Sequence, residues 1–328
     1  MVAIVGRPNV GKSTLLNALV GAHVSITSAK PQTTRNRVLG VATRDDAQFV
    51  FVDTPGLQHR HRNLMTRRMN AGVGAAIHGV DAIAMVIDAH GWHADDDAVL
   101  RLLPRPAPQP GPQPSPQAAP SDGAPAATPG TATESGAAPS PPSRAVLVLN
   151  KTDALQDKSA LLPLIAAASA RYPFAAFVPV SAARAWQLDD LLGTLRGLLP
   201  VGMPLFEADD ITDRSVRFLA AELVREQAFR LLGDELPYGL AVSIEGWEES
   251  GGRALVSALI LVERESQRGI VIGAGGAKLR EIGRRARIGV ERLLGKPVFL
   301  KTHVRVASGW SNDARALDRL GVEAPRGS

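Results

Sequence analysis

Val2-Ala3-Ile4-Val5-Gly6-Arg7-Pro8-Asn9-Val10-Gly11-Lys12-Ser13-Thr14 opens the chain with an apolar run, a glycine-bounded loop and the start of a helical stretch. The spacing Gly-x4-Gly-Lys-Ser falls where a strand passes into a helix. Its glycines let the backbone approach an anion, successive N–H groups point at it, and the helix N-terminus adds partial positive charge. A loop of this kind cradles the phosphates of a nucleotide. Asn9, Val10, Gly11, Lys12, Ser13 and Thr14 are the candidate phosphate contacts. Lys12 is expected to reach the β- and γ-phosphates, and the Ser13 hydroxyl to ligate Mg2+.

Working outward, Gln48–Asp53, Ala82–Asp88, Val146–Asn150 and Phe177–Ser181 read as further short, buried strands. Helical stretches at Lys12–Val20, Asn63–Ile77, Ser159–Ala170 and Leu188–Leu199 lie between them. Alternation of that kind implies an α/β domain with a mainly parallel sheet covered on both faces. Asp53-Thr54-Pro55-Gly56 ends one strand, so Asp53 is a candidate Mg2+ carboxylate and the Gly56 N–H a candidate γ-phosphate donor. The polar loop Ser25–Arg37 carries Thr33 and Thr34; either one can close on the metal, and Thr34 is the favoured ligand. Lys12, Thr34, Asp53 and Gly56 form the expected catalytic set. Asn150-Lys151-Thr152-Asp153 directly follows a strand. Asp153 can accept from both the N1–H and the amino group of guanine, a donor pair adenine lacks, and the Lys151 stem can cover the base. Ser181-Ala182 suits a loop whose N–H meets guanine O6. The ordered set narrows the nucleotide to GTP or GDP.

The second half reads differently. Beyond Pro200–Phe206 come a helix at Val216–Leu231, strands at Leu240–Trp247 and Leu255–Val262, a helix at Lys278–Leu294 and a closing strand at Val298–Val306. Gly283 and Gly289 lie inside that last helix and either permit close packing or break it. Gly273-Ala274-Gly275-Gly276 precedes it, with Lys278, Arg280, Arg284, Arg285 and Arg287 following. Small residues let a nucleic-acid backbone pack against a loop, as where a GXXG loop clamps about four nucleotides; a plain glycine turn between helices is the alternative. Charge supports the polyanion. Residues 204–263 hold 5 Lys/Arg against 12 Asp/Glu, whereas residues 264–305 hold 11 against 3. The formal charge of the whole chain is only +5. Gly273, Ala274, Gly275, Gly276, Lys278, Arg280 and Arg284 are the candidate RNA contacts.

With no cysteine among 328 residues, disulfides, thiolate zinc sites and cysteine nucleophiles are excluded. No apolar run reaches the roughly 18 residues that span a bilayer. With no leader-like segment, a cytoplasmic protein is expected. The chain opens directly on its first strand, so a short native N-terminal segment is expected ahead of it. Pro104–Ser143, rich in Pro, Ala, Gly, Ser and Thr, reads as a disordered insertion within the first domain. The expected organisation is 1–199 nucleotide domain with the insertion at 104–143, 200–207 linker, 208–310 RNA-binding domain and 311–328 tail. His59 and His61 read as a solvated loop, Asp95–Asp97 as an acidic first helical turn, and Trp186 and Trp247 as packing residues.

The chain resembles the Era family of GTPases. The resemblance is carried by Gly6-Arg7-Pro8-Asn9-Val10-Gly11-Lys12-Ser13, Gln32-Thr33-Thr34-Arg35-Asn36, Asp53-Thr54-Pro55-Gly56-Leu57, Leu236-Pro237-Tyr238-Gly239, Arg268–Gly273 and Gly309-Trp310. It implies a P-loop GTPase domain followed by a smaller α+β type II KH domain in the order α-β-β-α-α-β. It also implies GTP hydrolysis to GDP with Mg2+, binding near the 3′ end of small-subunit ribosomal RNA on the precursor small subunit, and a monomer. Leu57 stands where Ras-like proteins carry a water-orienting glutamine, and Asn9 matches a position that helps hold K+ in related GTPases. Two departures stand out: the Pro/Ala-rich insertion, which leaves every motif intact, and Ala274, where the family often has Lys or Arg. Two other readings share these motifs. One is an RNA chaperone using nucleotide as a structural ligand; the other is a membrane- or cell-cycle-linked GTPase sitting peripherally at the inner membrane face.

Overall fold

The computed structural model describes residues 1–28, 30, 33–44, 46–57, 63–105, 143–232, 236 and 239–322. Most of the Pro104–Ser143 stretch, together with Gln32, His59, His61, Pro237 and Tyr238, lies outside the described residues.

The first half is a six-stranded sheet in the order β2-β3-β1-β4-β5-β6. Its strands are β1 (Val2–Val5), β2 (Val38–Arg44), β3 (Ala47–Asp53), β4 (Ala82–Asp88), β5 (Ala145–Asn150) and β6 (Ala176–Pro179). All pairings are parallel except β2 with β3. Side-chain alternation divides the core between two faces. Val2, Ile4, Phe51, Val86 and Val148 pack under α1 (Lys12–Val20) and α5 (Leu188–Arg196) through Leu15, Leu19, Leu191 and Leu195. Ala3, Val5, Val52, Met85 and Leu147 pack on the other side. There they meet α2 (Leu64–His78), α3 (Ala94–Leu100) and α4 (Leu161–Ser169) through Val73, Ile77, Val99 and Leu164. Parallel strands buried on both faces have to be almost wholly apolar, which is why they stood out in the sequence.

β2 was not expected, because Gly40 interrupts its pattern. In the fold, a Cβ at Gly40 would lie 2.5 Å from Leu16 Cδ1, so the glycine lets α1 rest on this edge strand. The chain enters β5 at Ala145, the strand end opposite Asn150.

The second half runs α6 (Val216–Leu231), β7 (Leu240–Ser250), β8 (Arg253–Val262), α7 (Glu265–Ile272), α8 (Ala277–Leu294) and β9 (Val298–Val306). β7 and β8 are antiparallel, and β8 and β9 parallel. This is the expected KH order. Val224, Phe229, Ile260, Val262, Val271, Ile282 and Ala286 form its core. The helix α8 is continuous through both glycines. A Cβ at Gly289 would press on Leu223 of α6 at 3.3 Å, and one at Gly283 would meet Thr302 of β9 at 3.4 Å, so both serve close packing.

The stretch expected as a tail is folded as far as Val322. A final helix, α9 (Ala314–Arg319), buries Leu317 with Trp310, Val322 and Met65 and Met69 of α2. A six-residue helix with one apolar anchor shows little periodicity; it is stable because the anchor meets partners from the other half of the molecule.

Candidate functional site

The motifs converge on the C-terminal ends of β1, β3, β4 and β5. Asn9 and Gly11 adopt left-handed backbone (φ 66° and 94°), which curls the loop around the Lys12 amine. Lys12 Nζ donates to the carbonyls of Gly6 (3.0 Å) and Arg7 (2.9 Å). Burial pulls its pKa down to about 8, against the opposing pull of Asp53. A Cβ at Gly56 would lie 2.8 Å from Pro8 N, so the Asp-Thr-Pro-Gly turn rests directly on the loop. Thr14 lines the same cleft, while the Val10 side chain is fully buried in the core.

A cluster of oxygens sits at the mouth. Ser13 Oγ lies 2.7 Å from Thr34 Oγ1 and donates to Asp53 Oδ2 at 2.8 Å; Thr34 Oγ1 is 3.4 Å from the same oxygen. Thr33 points elsewhere, its hydroxyl donating to Lys30 O at 2.6 Å. Asp53 is fully buried, burial raises its pKa, and its Oδ1 has no hydrogen-bond partner among the described residues. Two hydroxyls gathered at Asp53 Oδ2, with the buried Oδ1 beside it unpaired, make a set of hard oxygen donors that fits Mg2+.

Asn150 braces the site from within the fold. Its Nδ2 donates to Val10 O (2.8 Å) and its Oδ1 accepts from Ala182 N (3.0 Å), so it ties the phosphate loop to the Ser181-Ala182 turn. Asp153 is exposed and accepts from Ser181 Oγ at 2.6 Å, which fixes the carboxylate beside that turn. Lys151, itself left-handed, is held by its amine to Asp88 at 2.8 Å. Burial alone would raise the Asp88 carboxyl, but bonds from Lys151 and His90 outweigh it and hold the carboxyl at about 2. Asp88, which anchors Lys151, was not singled out in the sequence because a strand-ending aspartate carries no motif.

The GXXG loop joins α7 to α8. Gly273, Gly275 and Gly276 all have positive φ, and a Cβ at Gly273 would collide with Lys278 at 2.9 Å. Ala274, Gly275, Lys278, Arg280 and Arg284 are exposed. Arg280 folds back to donate to Gly275 O at 2.7 Å. Arg284 and Arg285 pair with Glu281, and Arg287 pairs with Glu291. Exposed pairs of this kind are weak, so these cations remain exchangeable toward phosphate.

The largest feature absent from the sequence reading is the contact between the two halves. The Ser25–Arg37 loop, which brings Thr34 to the oxygen cluster, is gripped from the other side by the KH half. Glu226 of α6 accepts from Thr27 N (2.9 Å) and Thr27 Oγ1 (3.0 Å). Arg225 donates to Thr33 O at 2.5 Å. Arg35, 5% exposed, donates to Leu240 O at 2.6 Å and lies over the rings of Phe229 and Trp310. Burial and the neighbouring Arg225 lower the pKa of its guanidinium. Arg35 stood inside a quoted motif, but nothing local announced its partners, which lie about two hundred residues or more away.

Residues 1–110 match the family model described as 50S ribosome-binding GTPase, and residues 235–311 match the KH domain model. GTPase Era of Bordetella avium is 45% identical over 322 residues, covering 98% of this chain and 97% of that protein. GTPase Era of Xanthomonas axonopodis pv. citri is 48% identical over 323 residues, covering 98% and 96%. A crystal structure of an Aquifex aeolicus Era variant bound to GDP and AlF4− superposes with a TM-score of 0.83 at 35% identity, covering 98% of each chain. A crystal structure of Era with MgGDPNP and nucleotides 1506–1542 of 16S ribosomal RNA gives the same TM-score and identity, covering 98% and 97%. The phosphate loop, the Asn150–Asp153 turn and the KH half thus occur together in one chain, matched along almost its full length, and the protein belongs to the Era family of GTPases.

Proposed function

We propose that this GTPase is a switch that binds small-subunit ribosomal RNA near its 3′ end and assists assembly of the small ribosomal subunit in the cytoplasm. One observation carries the coupling. The loop that places Thr34 beside Ser13 and Asp53 is the same loop held by Glu226, Arg225 and Leu240 of the KH half. Any change in that loop on loss of the γ-phosphate alters the KH half's footing. A relative crystallised with MgGDPNP and a 16S rRNA fragment holds both ligand classes at once.

In this reading Ser13, Thr34 and Asp53 hold Mg2+, which neutralises charge on the phosphates when bound. Lys12 and the N–H groups of residues 9–14 hold the phosphates, the Gly56 N–H faces the γ-phosphate, and Asp153 selects guanine. Asn150 and Ser181 position those contacts. Asn9, exposed and left-handed beside the cleft, is the proposed holder of a K+ ion; equal turnover in Na+ and K+ would refute that role. Gly273–Gly276 with Lys278, Arg280 and Arg284 receive the RNA backbone. The chain is assigned as a monomer, with 1–199 as the GTPase domain and 208–310 as the KH domain. Peripheral contact with an acidic inner membrane face is the alternative use of the same basic surface. It ranks last, because the apolar face of α8 (Ile282, Ala286, Val290) is already buried, and among the described residues no helix is long and apolar enough to cross a membrane.

Crosslinking in cells followed by sequencing of bound RNA tests the assignment, with the intact chain compared with a Gly275→Asp, Gly276→Asp variant. Reads concentrated at the 3′ end of small-subunit rRNA and lost in the variant are expected. Diffuse reads unchanged by the variant would refute the RNA assignment.

A further inference from the structure

The Asp53 carboxylate has a third hydroxyl neighbour, one that belongs to none of the motifs. Ser25 Oγ donates to Asp53 Oδ2 at 2.9 Å, and Ser25 is 4% exposed. Its position is not incidental to a flexible loop, because Asn17 of α1 holds it by three bonds. Asn17 Oδ1 accepts from Val24 N (3.0 Å) and Ser25 N (2.9 Å), and Asn17 Nδ2 donates to Ser25 O (2.6 Å). The amide of Asn17 thus holds the backbone at Val24 and Ser25, from which the Ser25 hydroxyl reaches Asp53. α1 begins in the phosphate loop, one turn before Asn17, so the same helix that presents Ser13 also sets Ser25.

Asp53 Oδ2 receives Ser13, Ser25 and Thr34, whereas Oδ1 has no partner among the described residues. Ser13 and Thr34 are the two hydroxyls that the Mg2+ reading uses as ligands, so their bonds to the carboxylate are tied to the cation, whereas Ser25 has no metal role. Ser25 is then the hydroxyl that stays with the carboxylate. A carboxylate beside a cation needs such a partner to fix which oxygen faces the metal.

We propose that Ser25, held by Asn17, is a positioning residue that orients Asp53 for Mg2+, a role outside the phosphate, guanine and metal-ligand motifs. This rests on the GTPase reading of the Ser13–Thr34–Asp53 cluster.

The test is the release rate of a fluorescent N-methylanthraniloyl-GDP from the full chain, measured across free Mg2+ concentrations and again in EDTA. Ser25→Ala is expected to raise the Mg2+ concentration for half-maximal retention by about ten-fold, the scale on which such supporting partners act on metal affinity. Release in EDTA should be unchanged, because the phosphate loop is intact. Ser25→Thr, which keeps the hydroxyl, should follow the wild-type curve. A Ser25→Ala curve identical to wild type would overturn the proposal. So would faster release in EDTA by the same factor, which would show a generally loosened pocket, or a Ser25→Thr curve that tracks Ser25→Ala. A wild-type chain whose release ignores Mg2+ would overturn the metal reading itself and this proposal with it, an outcome distinct from the others.

Discussion

Replacing Arg35 with alanine should unlatch the two halves of the molecule without unfolding either. The guanidinium is buried, makes a 2.6 Å bond to Leu240 O, and sits 5.6 Å and 5.8 Å from the ring centres of Phe229 and Trp310. A hydrogen bond from a charged donor contributes about 1.5–3 kcal/mol, and a desolvated cation–π contact about 2. The two ring contacts share one cation and do not add fully. Truncation also leaves the carbonyl of Leu240, a fully buried residue, without this donor. A net loss of about 3–4 kcal/mol follows, a shift of about 100- to 1,000-fold in the docked-to-undocked ratio. Hydrogen exchange read by mass spectrometry reports that ratio locally. Amides at Thr27, Leu64 and residues 310–320 should lose protection in Arg35→Ala, while β1, β4 and β5 keep theirs. Arg35→Lys retains the charge but not the planar fork and should fall between. Unchanged protection at these amides, or a uniform loss across both sheets, would refute the latch.

Four further outcomes follow from the structure. In free protein at pH 8, Lys12 is about half protonated, because burial brings its folded-state pKa down to about 8 from the ordinary lysine value of 10.5. Phosphate contact restores the charged form, so GDP binding without magnesium at pH 8 should take up about half a proton, with the uptake fading at lower pH; calorimetry in two buffers of different ionisation enthalpy would show no difference if the lowered pKa is wrong. By the same shift, the cost of burying the Lys12 charge is fully present below pH 8 and disappears as pH rises toward 10.5, so Lys12 destabilises the nucleotide-free fold less at alkaline pH. Gly11→Ala places a Cβ 2.3 Å from Asn150 Nδ2 at φ +94°, so it strains the loop and displaces the Val10–Asn150 tie, at a combined cost of about 2–4 kcal/mol. Fluorescent GDP affinity and a thermal melt should both fall, and a wild-type affinity would count against Asn150 as the brace. Ala185 is exposed and left-handed at φ 50°, so Ala185→Gly should relieve strain and stabilise the fold by about 1 kcal/mol in urea denaturation; a destabilised variant would show that the turn is not strained.

Much of the molecule was legible from one dimension, for identifiable reasons. Buried parallel strands are apolar throughout, so Val2–Val5, Ala82–Asp88 and Val146–Asn150 declared themselves, whereas the edge strand β2, broken by Gly40, did not. The phosphate loop, the Asp53 turn and the GXXG loop depend on backbone conformations that glycine allows, and glycine at fixed spacing is visible in a string of letters. What stayed hidden were contacts between residues far apart in the chain. Nothing near Ser25 reveals that Asn17 aims it at Asp53. The adjacent Thr33 and Thr34 could be separated only by seeing which hydroxyl reaches Ser13. Asn150 read as a nucleotide contact, and only the fold showed its amide also bonded to Val10 and Ala182. Most of all, Arg35, Glu226 and Trp310 lie scattered over almost three hundred positions, and nothing in the letters pairs them. The sequence determined the two domains and their chemistries, because those rest on local backbone geometry and on side-chain periodicity. The tertiary structure alone decided how one domain holds the other's switch loop, because burial and hydrogen-bond partnership are properties of proximity in space.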